Sequence, residues 1–310
     1  MTDAATRRAT LIGGTSVLNW ATLALFTIVA GPIPPFQLVA MGFAIAFLLG
    51  LAWPAAHGRS PFGAMRQSWP VWVLGVGGLF GFHLLYFVAL QNAPVVEANL
   101  INYSWPLLIV VFSALLPGER LRWFHLVGVL LGLGGAVLLI GRHGFAISLD
   151  HMAGYAAAIG SALIWSSYSV ASRRVGNVPT DAVGGFCGVT ALLALACHLA
   201  FETTVAPVGW GWLGVLALGL GPVGSAFYTW DHGVKHGNIQ ALGAFAYGAP
   251  LFSTILLVAF GFGVLDLNVV LACVLIVGGA ALAGQEVLRQ APGVRAANRA
   301  TGQPRARVSR

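Results

Sequence analysis

Polar and aromatic side chains recur at helical spacing inside an apolar stretch of the sequence, residues 75–117. Four residues lie at positions i, i+3, i+4 and i+7 and so share one helix face: Asn99, Asn102, Tyr103 and Pro106. The same arithmetic groups Leu79, His83 and Tyr86 on the preceding helix. Amide, phenol and imidazole groups exchange hydrogen bonds with a ligand, and aromatic rings stack on it. These residue types favour a site that binds a small molecule.

The composition places this face inside a membrane. The chain has 310 residues, of which 58% are hydrophobic and 8% are charged, and its mean hydropathy is +0.84. A polytopic membrane protein exposes so much apolar surface to lipid, whereas a soluble domain cannot bury it. Because polar side chains that face lipid cost several kcal/mol, we expect the polar face to meet protein or water.

Ten apolar stretches of about 20 residues predict an all-α polytopic membrane protein with ten transmembrane helices. These spans lie near 9–30, 35–56, 69–90, 94–116, 122–141, 151–172, 181–200, 209–232, 238–260 and 267–286. Spans 2, 5, 7 and 10 are more uniformly aliphatic than the others, and we expect them at the lipid-facing periphery. The basic tail, residues 287–310, has little to bury and is predicted to be disordered.

The distribution of charge predicts an orientation. If the N-terminal segment 1–8 is cytoplasmic, fifteen basic residues fall on the cytoplasmic side and only Arg142 falls on the other. Both termini are then cytoplasmic. The formal charge of +7 reflects these helix ends and the tail rather than a basic patch, so no nucleic-acid partner is expected. The acidic residues of the opposite loops fit the same orientation: Glu97, Asp150, Glu202 and Asp266.

The tryptophans divide into two groups. Seven lie near predicted span ends, where aromatic belts form at the membrane surface: Trp53, Trp69, Trp72, Trp123, Trp210, Trp212 and Trp230. Trp20, Trp105 and Trp165 fall in the middle of spans and need another explanation.

The two halves of the sequence repeat each other. A shift of 144 aligns Tyr103 with Tyr247 and Pro106 with Pro250, and a shift of 145 aligns Trp20 with Trp165. The repeats are residues 9–141 and 151–286, each with five spans. An odd number of spans makes the copies cross the membrane in opposite senses. Inverted repeats around a central cavity are the architecture of alternating-access transporters.

The polar faces of spans 1, 3, 4, 6, 8 and 9 are expected to surround this cavity. The candidate substrate-binding residues are Asn19, Trp20, His83, Tyr86, Asn99, Asn102, Tyr103, Trp105, Trp165, Tyr168 and Tyr247. Pro106 and Pro250 could be kinks that the helices tolerate, but their matched positions in the two repeats favour a role as hinges. Glu97 and Asp231 lie near span ends and are expected at the rim.

Motifs for chemistry are scarce. The sequence has no Gly-x-Ser-x-Gly, no His-Glu-x-x-His and no nucleotide-binding loop, so we expect no catalytic residue, no cofactor and no need for an ATPase partner. The pair His232 and His236 runs into a glycine-containing turn, and no metal site is predicted. An intramembrane enzyme using His83 is a remote alternative. Gly77 with Gly81, and Gly128 with Gly132, allow close helix packing and leave a homodimer possible.

Several motifs resemble one transporter family. The stretches 89–94, 105–107, 118–121 and 128–132 are similar to the first repeat of the EamA branch of the drug/metabolite transporter (DMT) superfamily. The stretch 102–106 (Asn-Tyr-Ser-Trp-Pro) is similar to aromatic amino-acid exporters of the YddG type. The resemblance implies ten helices, cytoplasmic termini and export of amino acids, chiefly aromatic ones, across a bacterial inner membrane. Export of other small metabolites or drugs is the alternative. The second repeat departs from the first in having Gly263 opposite Glu119.

Overall fold

The computed structural model describes residues 3–141, 144, 146–262 and 266–285. Within these residues the chain is helical and has no strand. The α-helices are α1 (Asp3–Ala21), α2 (Leu23–Ala30), α3 (Pro35–Ala56), α4 (Trp69–Asn92), α5 (Val95–Asn102), α6 (Trp105–Ser113), α7 (Trp123–Ile140), α8 (Met152–Arg174), α9 (Ala182–Phe201), α10 (Gly211–Leu220), α11 (Ala226–His236), α12 (Ile239–Ala246), α13 (Gly248–Ala259) and α14 (Leu267–Ala283). The predicted disordered tail, Arg142 and Gly263 lie outside the described residues.

These helices form the ten predicted spans. Eight helical segments are long and apolar enough to cross a membrane, and α14 is a shorter apolar helix. The tenth span is α8, which has 23 residues but carries five serines and two tyrosines that lower its hydropathy. Helix α1 begins at Asp3, so Arg7 and Arg8 lie on its first turns rather than ahead of it.

Four spans are interrupted. Span 4 breaks between α5 and α6, at Tyr103 and Ser104, and span 9 breaks between α12 and α13, at Tyr247. Each break lies just before a proline in the first turn of the next helix, Pro106 or Pro250. A proline has no N–H to donate and its ring clashes with the carbonyl four residues earlier, so the ladder is interrupted there. Whether these breaks act as hinges stays a prediction.

Spans 1 and 8 are interrupted without repeat counterparts. Span 1 breaks at Thr22, between α1 and α2. Span 8 passes through a π-helical turn, Gly221–Ser225, between α10 and α11. The equivalent spans, α8 in the second repeat and α4 in the first, are continuous. The two repeats therefore share one topology but differ in the shape of these helices.

Packing between equivalent spans shows that the repeats are inverted. Helix α3 of span 2 runs antiparallel to α9 of span 7: Gly50 meets Gly184, and the backbone N–H of Gln37 donates to the Glu202 carboxylate at 3.0 Å. Helix α7 of span 5 likewise runs antiparallel to α14 of span 10. Two copies of one span can run in opposite directions only if the repeats cross the membrane in opposite senses.

The other close pairs join spans 1 and 8, and spans 3 and 6. Helix α1 packs on α11, with Gly13 against Gly233, and α4 packs on α8, with Gly78 against the ring of Tyr168. Exchanging the two repeats turns one pair into the other, so the bundle has an approximate two-fold axis. Helices α1, α4, α8 and α11 meet at this axis, and the site lies among them.

Glycines determine how closely α7 approaches α14 and the break between α12 and α13. A Cβ added to Gly128 would lie 2.5 Å from the Gly279 carbonyl oxygen, and one added to Gly132 would lie 2.6 Å from the Tyr247 ring. The sequence left both glycines available for a homodimer, but each packs against another helical segment of the same chain.

We expect Gly128→Val to destabilise the fold, because the side chain would force α7 away from α14. Overpacking of a tight core costs about 1–3 kcal/mol. Gly134→Ala is the matched control on the same helix, since a Cβ at Gly134 meets no atom within 4 Å. Thermal unfolding of the purified protein in detergent tests this: the valine variant should unfold at a lower temperature, and the alanine variant should match the parent. Equal midpoints for Gly128→Val and the parent would contradict the packing described here.

Candidate functional site

A cavity of about 340 Å³ lies between the two repeats. It extends from the tryptophans at the centre of the bundle to Ile33 and Pro35, at the turn between α2 and α3. Spans 1, 3, 4, 6, 8 and 9 line it, as expected, but so does span 2 through Pro35, Leu38 and Val39. The expectation that span 2 lies only at the periphery was wrong, because an aliphatic helix suits an apolar cavity wall as well as lipid.

Four indole rings close one side of the cavity; we call them the tryptophan floor, Trp20, Trp105, Trp165 and Trp230. The ring of Trp20 lies 6.0 Å from Trp105, 5.9 Å from Trp165 and 5.1 Å from Trp230. Its contacts with Trp105 and Trp165 are edge-to-face, an arrangement that the ring quadrupoles favour. The indole N–H of Trp230 donates to the Ser169 hydroxyl at 3.0 Å. The floor leaves edges and faces of Trp20, Trp105 and Trp165 available to a ligand.

Hydrogen-bonding groups gather on one side of the cavity. This polar wall consists of His83, Tyr86, Asn102 and Tyr103. The Tyr86 hydroxyl donates to Asn99 Oδ1 at 2.5 Å, and the Ser161 hydroxyl donates to Asn102 Oδ1 at 2.6 Å. His83 Nδ1 lies 2.7 Å from the Leu79 carbonyl oxygen, which can only accept, so Nδ1 carries the proton.

The part of the lining that spans 2 and 8 supply is apolar. This apolar wall consists of Leu38, Val39, Leu218, Pro222 and Val223. No charged side chain lines the cavity among the residues that the structure describes. The site can thus offer hydrogen bonds, ring faces and aliphatic contact, but no fixed charge.

The structure places the predicted site residues in two groups. Seven line the cavity: Trp20, His83, Tyr86, Asn102, Tyr103, Trp105 and Trp165. Four lie behind it. Tyr168 packs on Gly78, and Tyr247 packs on Gly132, and both are buried. Asn99 reaches the cavity only through Tyr86, and the Asn19 amide donates to the Thr15 carbonyl at 3.2 Å.

Four aromatic residues at the site were missed. Phe82, Phe87 and Phe227 line the cavity, and Trp230 supports the floor, although Trp230 was expected in a belt at a span end. That expectation was wrong because α11 runs on to His236, which puts Trp230 well inside the helix, 1% exposed. For Phe227 and Trp230 the repeat contained the signal: the shift of 144 that aligns the halves maps His83 onto Phe227 and Tyr86 onto Trp230.

Two acidic residues expected at the rim are buried. Asp231, 2% exposed, pairs with Lys235 Nζ at 2.8 Å and accepts from the Thr180 hydroxyl at 2.7 Å. Lys235 Nζ also donates to the Val178 carbonyl at 3.0 Å. Glu97, 6% exposed, accepts from the backbone N–H of Ala146 at 2.9 Å. Each carboxylate thus attaches a helix to a connecting segment, so the rim expectation was wrong for both.

A polar network joins the repeats on the far side of the floor, which we call the basic end. Arg173 pairs with Glu119 at 2.6 Å and donates to the carbonyls of Val234 and Gly237 at 2.9 and 2.6 Å. The Gln240 amide donates to the other Glu119 oxygen at 2.9 Å. Glu119 belongs to the first repeat and its partners to the second, so the network and the floor together close the basic end.

Comparison with known proteins identifies relatives of this chain. The EamA-like transporter family profile matches residues 8–141 and again residues 152–285. The aromatic amino acid exporter YddG of Ancylobacter novellus is 54% identical over 277 residues, covering 89% of this chain and 96% of that protein. The exporter of the same name from Salmonella typhimurium is 27% identical over 269 residues, covering 81% and 87%. One solved crystal structure superposes with a TM-score of 0.86 at 52% identity and covers 91% of this chain and 99% of that one.

We expect Asp231→Leu to destabilise the protein strongly, because it leaves the Lys235 ammonium buried without a partner. Breaking a buried ion pair from one side costs about 3–5 kcal/mol. Arg59→Ala is the comparison, since the Arg59–Asp181 pair is 54% and 21% exposed and such pairs contribute less than about 1 kcal/mol. Thermal unfolding in detergent measures both, and the double variant Asp231→Leu with Lys235→Met should recover part of the loss. Equal effects of Asp231→Leu and Arg59→Ala would exclude a buried pair.

Proposed function

Because the chain belongs to the EamA-like transporter family, we propose that it exports aromatic and other bulky neutral amino acids from the cytoplasm by alternating access. The relatives at 54% and 27% identity are named as aromatic amino acid exporters, which supports this choice of substrate. They are transporters, and the proposal assigns no enzymatic step to this chain.

The observation that carries the proposal is the combination of indole rings with the absence of fixed charge around the cavity. Trp20, Trp105 and Trp165 present rings to a ligand, and the described lining residues include no acid and no base apart from His83. An aromatic side chain gains area and ring contact there. A zwitterion has no net charge, so it needs no buried counter-ion. A phosphorylated ligand would need a lysine or arginine.

The binding groups suit a carrier that must release its substrate. An ammonium over an indole face gains about 1–2 kcal/mol when partly desolvated. Hydrogen bonds to neutral amides and phenols add modest contributions, on the order of 1 kcal/mol each. Several weak contacts can select the substrate and still allow it to dissociate.

The closed basic end supports alternating access. In this structure the cavity reaches the turn between α2 and α3, and the floor with the Glu119–Arg173 network separates it from the other end. The pair is 23% and 21% exposed, so it is weak enough to separate in each cycle. The proposed inward-open state separates Glu119 from Arg173 and opens the floor.

We propose that the chain lies in a bacterial inner membrane with both termini cytoplasmic. The basic residues gather at one end of the bundle: Arg59, Arg66, Arg120, Arg173, Arg174 and Lys235 lie there, next to connections that join helices at that end. The positive-inside rule assigns this end to the cytoplasm. The cavity of this structure then faces outward.

Reporter fusions test the orientation. Green fluorescent protein fused after Arg310 should fluoresce, since it matures in the cytoplasm, and alkaline phosphatase at the same point should be inactive. A phosphatase fused after Ser148, in the connection between the repeats, should be active. Activity of the C-terminal phosphatase fusion would reverse the proposed orientation.

Counterflow into proteoliposomes tests the function. Vesicles preloaded with phenylalanine should accumulate labelled phenylalanine in a saturable manner, and tryptophan should compete. Trp20→Ala should lower the apparent affinity about tenfold, since it removes a ring from the floor. Trp53→Ala is the matched control, because Trp53 is 58% exposed at the end of α3.

Thermal unfolding would verify that each variant is folded. Absence of amino-acid flux in folded wild-type protein would reject amino acids as substrates. Other small metabolites or drugs would then be the expected cargo. Equal loss of affinity in Trp20→Ala and Trp53→Ala would contradict a substrate contact at Trp20.

A further inference from the structure

We infer that Asn102 is the group that receives the substrate carboxylate and that Ser161 positions its amide to do so; this inference rests on the proposed export of amino acids. Asn102 is 5% exposed, lines the cavity, and is the last residue of α5. Ser161 lies on α8, is fully buried and donates its hydroxyl proton to Asn102 Oδ1 at 2.6 Å.

The Ser161 contact determines which way the amide faces. An asparagine side chain offers an acceptor oxygen on one side and two N–H donors on the other. Since Ser161 occupies the oxygen, the Nδ2 group is the free side of the amide, and it has no hydrogen-bond partner among the described residues. Because Asn102 lines the cavity, an acceptor group of a ligand, such as a carboxylate, can take the hydrogen bond of this free donor.

The polar wall also holds an acceptor for the ammonium group. Because Nδ1 of His83 donates to the Leu79 carbonyl, the neutral ring keeps a lone pair on Nε2. The His83 ring is enclosed by Phe43, Phe82 and Phe87. An amino acid can therefore place its carboxylate on Asn102 and its ammonium toward His83, with its aromatic side chain against the rings of the tryptophan floor.

The repeat shows that this pair exists once. Ser16 is the counterpart of Ser161 by the shift of 145, and the shift of 144 places Ala246 opposite Asn102. Ser16 is also fully buried, but its hydroxyl donates to the Gly13 carbonyl of its own helix at 2.5 Å. Ser16 thus shows that a buried serine at this repeat position can bond its hydroxyl within its own helix, without an asparagine as partner. The asymmetry gives the substrate one orientation in the cavity.

Competition by incomplete analogues tests the assignment. The uptake of labelled phenylalanine into proteoliposomes is measured in the presence of one of three unlabelled competitors. These are phenylalanine, 3-phenylpropionate, which lacks the ammonium, and phenethylamine, which lacks the carboxylate. In Ser161→Ala the inhibition constants of phenylalanine and 3-phenylpropionate should rise about three- to tenfold, since a misoriented amide loses part of a hydrogen bond to a charge. The inhibition constant of phenethylamine and the maximal rate should stay the same. Ser16→Ala is the matched control and should leave all three constants unchanged.

Asn102→Asp replaces the N–H donor by a negatively charged oxygen at nearly constant side-chain volume. Ser161 can still donate to the new carboxylate, while the free side now repels an anion. The two carboxylate-bearing ligands should bind at least about tenfold more weakly, and phenethylamine should bind more tightly. If Asn102→Asp fails to fold, Ser161→Ala decides the question alone.

The outcomes separate the two proposals. Folded wild-type protein that moves no phenylalanine overturns the proposed function. Wild-type flux, combined with a Ser161→Ala variant that weakens phenethylamine as much as phenylalanine, overturns the carboxylate assignment and leaves the function intact. Unchanged constants in Ser161→Ala overturn the assignment as well.

Discussion

The hydrocarbon core of a membrane offers no water, so each polar group within the spans needs a partner inside the protein. This constraint accounts for much of the bundle. Trp230 donates to Ser169, Tyr228 donates to the Ala46 carbonyl at 2.9 Å, and Ser161 donates to Asn102. Each of these bonds joins two helices. The polar groups left on the cavity surface are few, and these are the groups that a ligand can meet.

The scaffold is nearly symmetric, but the site is not. Trp20 and Trp165 are repeat counterparts and both belong to the floor. His83 has Phe227 as its counterpart, Tyr86 has Trp230, and Asn102 has Ala246. The first repeat therefore supplies most hydrogen-bonding groups and the second supplies rings and aliphatic contact. Two similar halves allow the protein to alternate between two similar shapes, while unlike side chains leave the cavity lining without two-fold symmetry.

The ion pairs differ in how easily they separate. Asp231 and Lys235 are both buried on one helix and hold the segment that follows α8 against α11, so the pair can stay intact throughout a cycle. Glu119 and Arg173 are partly exposed, belong to different repeats and close the basic end. Separating a partly exposed pair costs little because water solvates both groups. The two pairs thus differ in their exposure to water, and so in the free energy that their separation costs.

The sequence by itself determined the ten spans, the inverted repeat and the mid-span tryptophans, because hydropathy, helical period and internal similarity are local properties of the chain. It also identified seven residues that line the cavity. The tertiary structure decided which member of each helix face meets the cavity. Asn99 and Asn102 share a face, yet Asn99 bonds to Tyr86 while Asn102 lines the cavity, because α4 and α8 flank α5 on different sides. Leu38 reads as lipid-facing and Asp231 as a rim residue until the neighbouring helices are known. Periodicity gives the direction of a side chain relative to its own helix, and only packing says what lies in that direction.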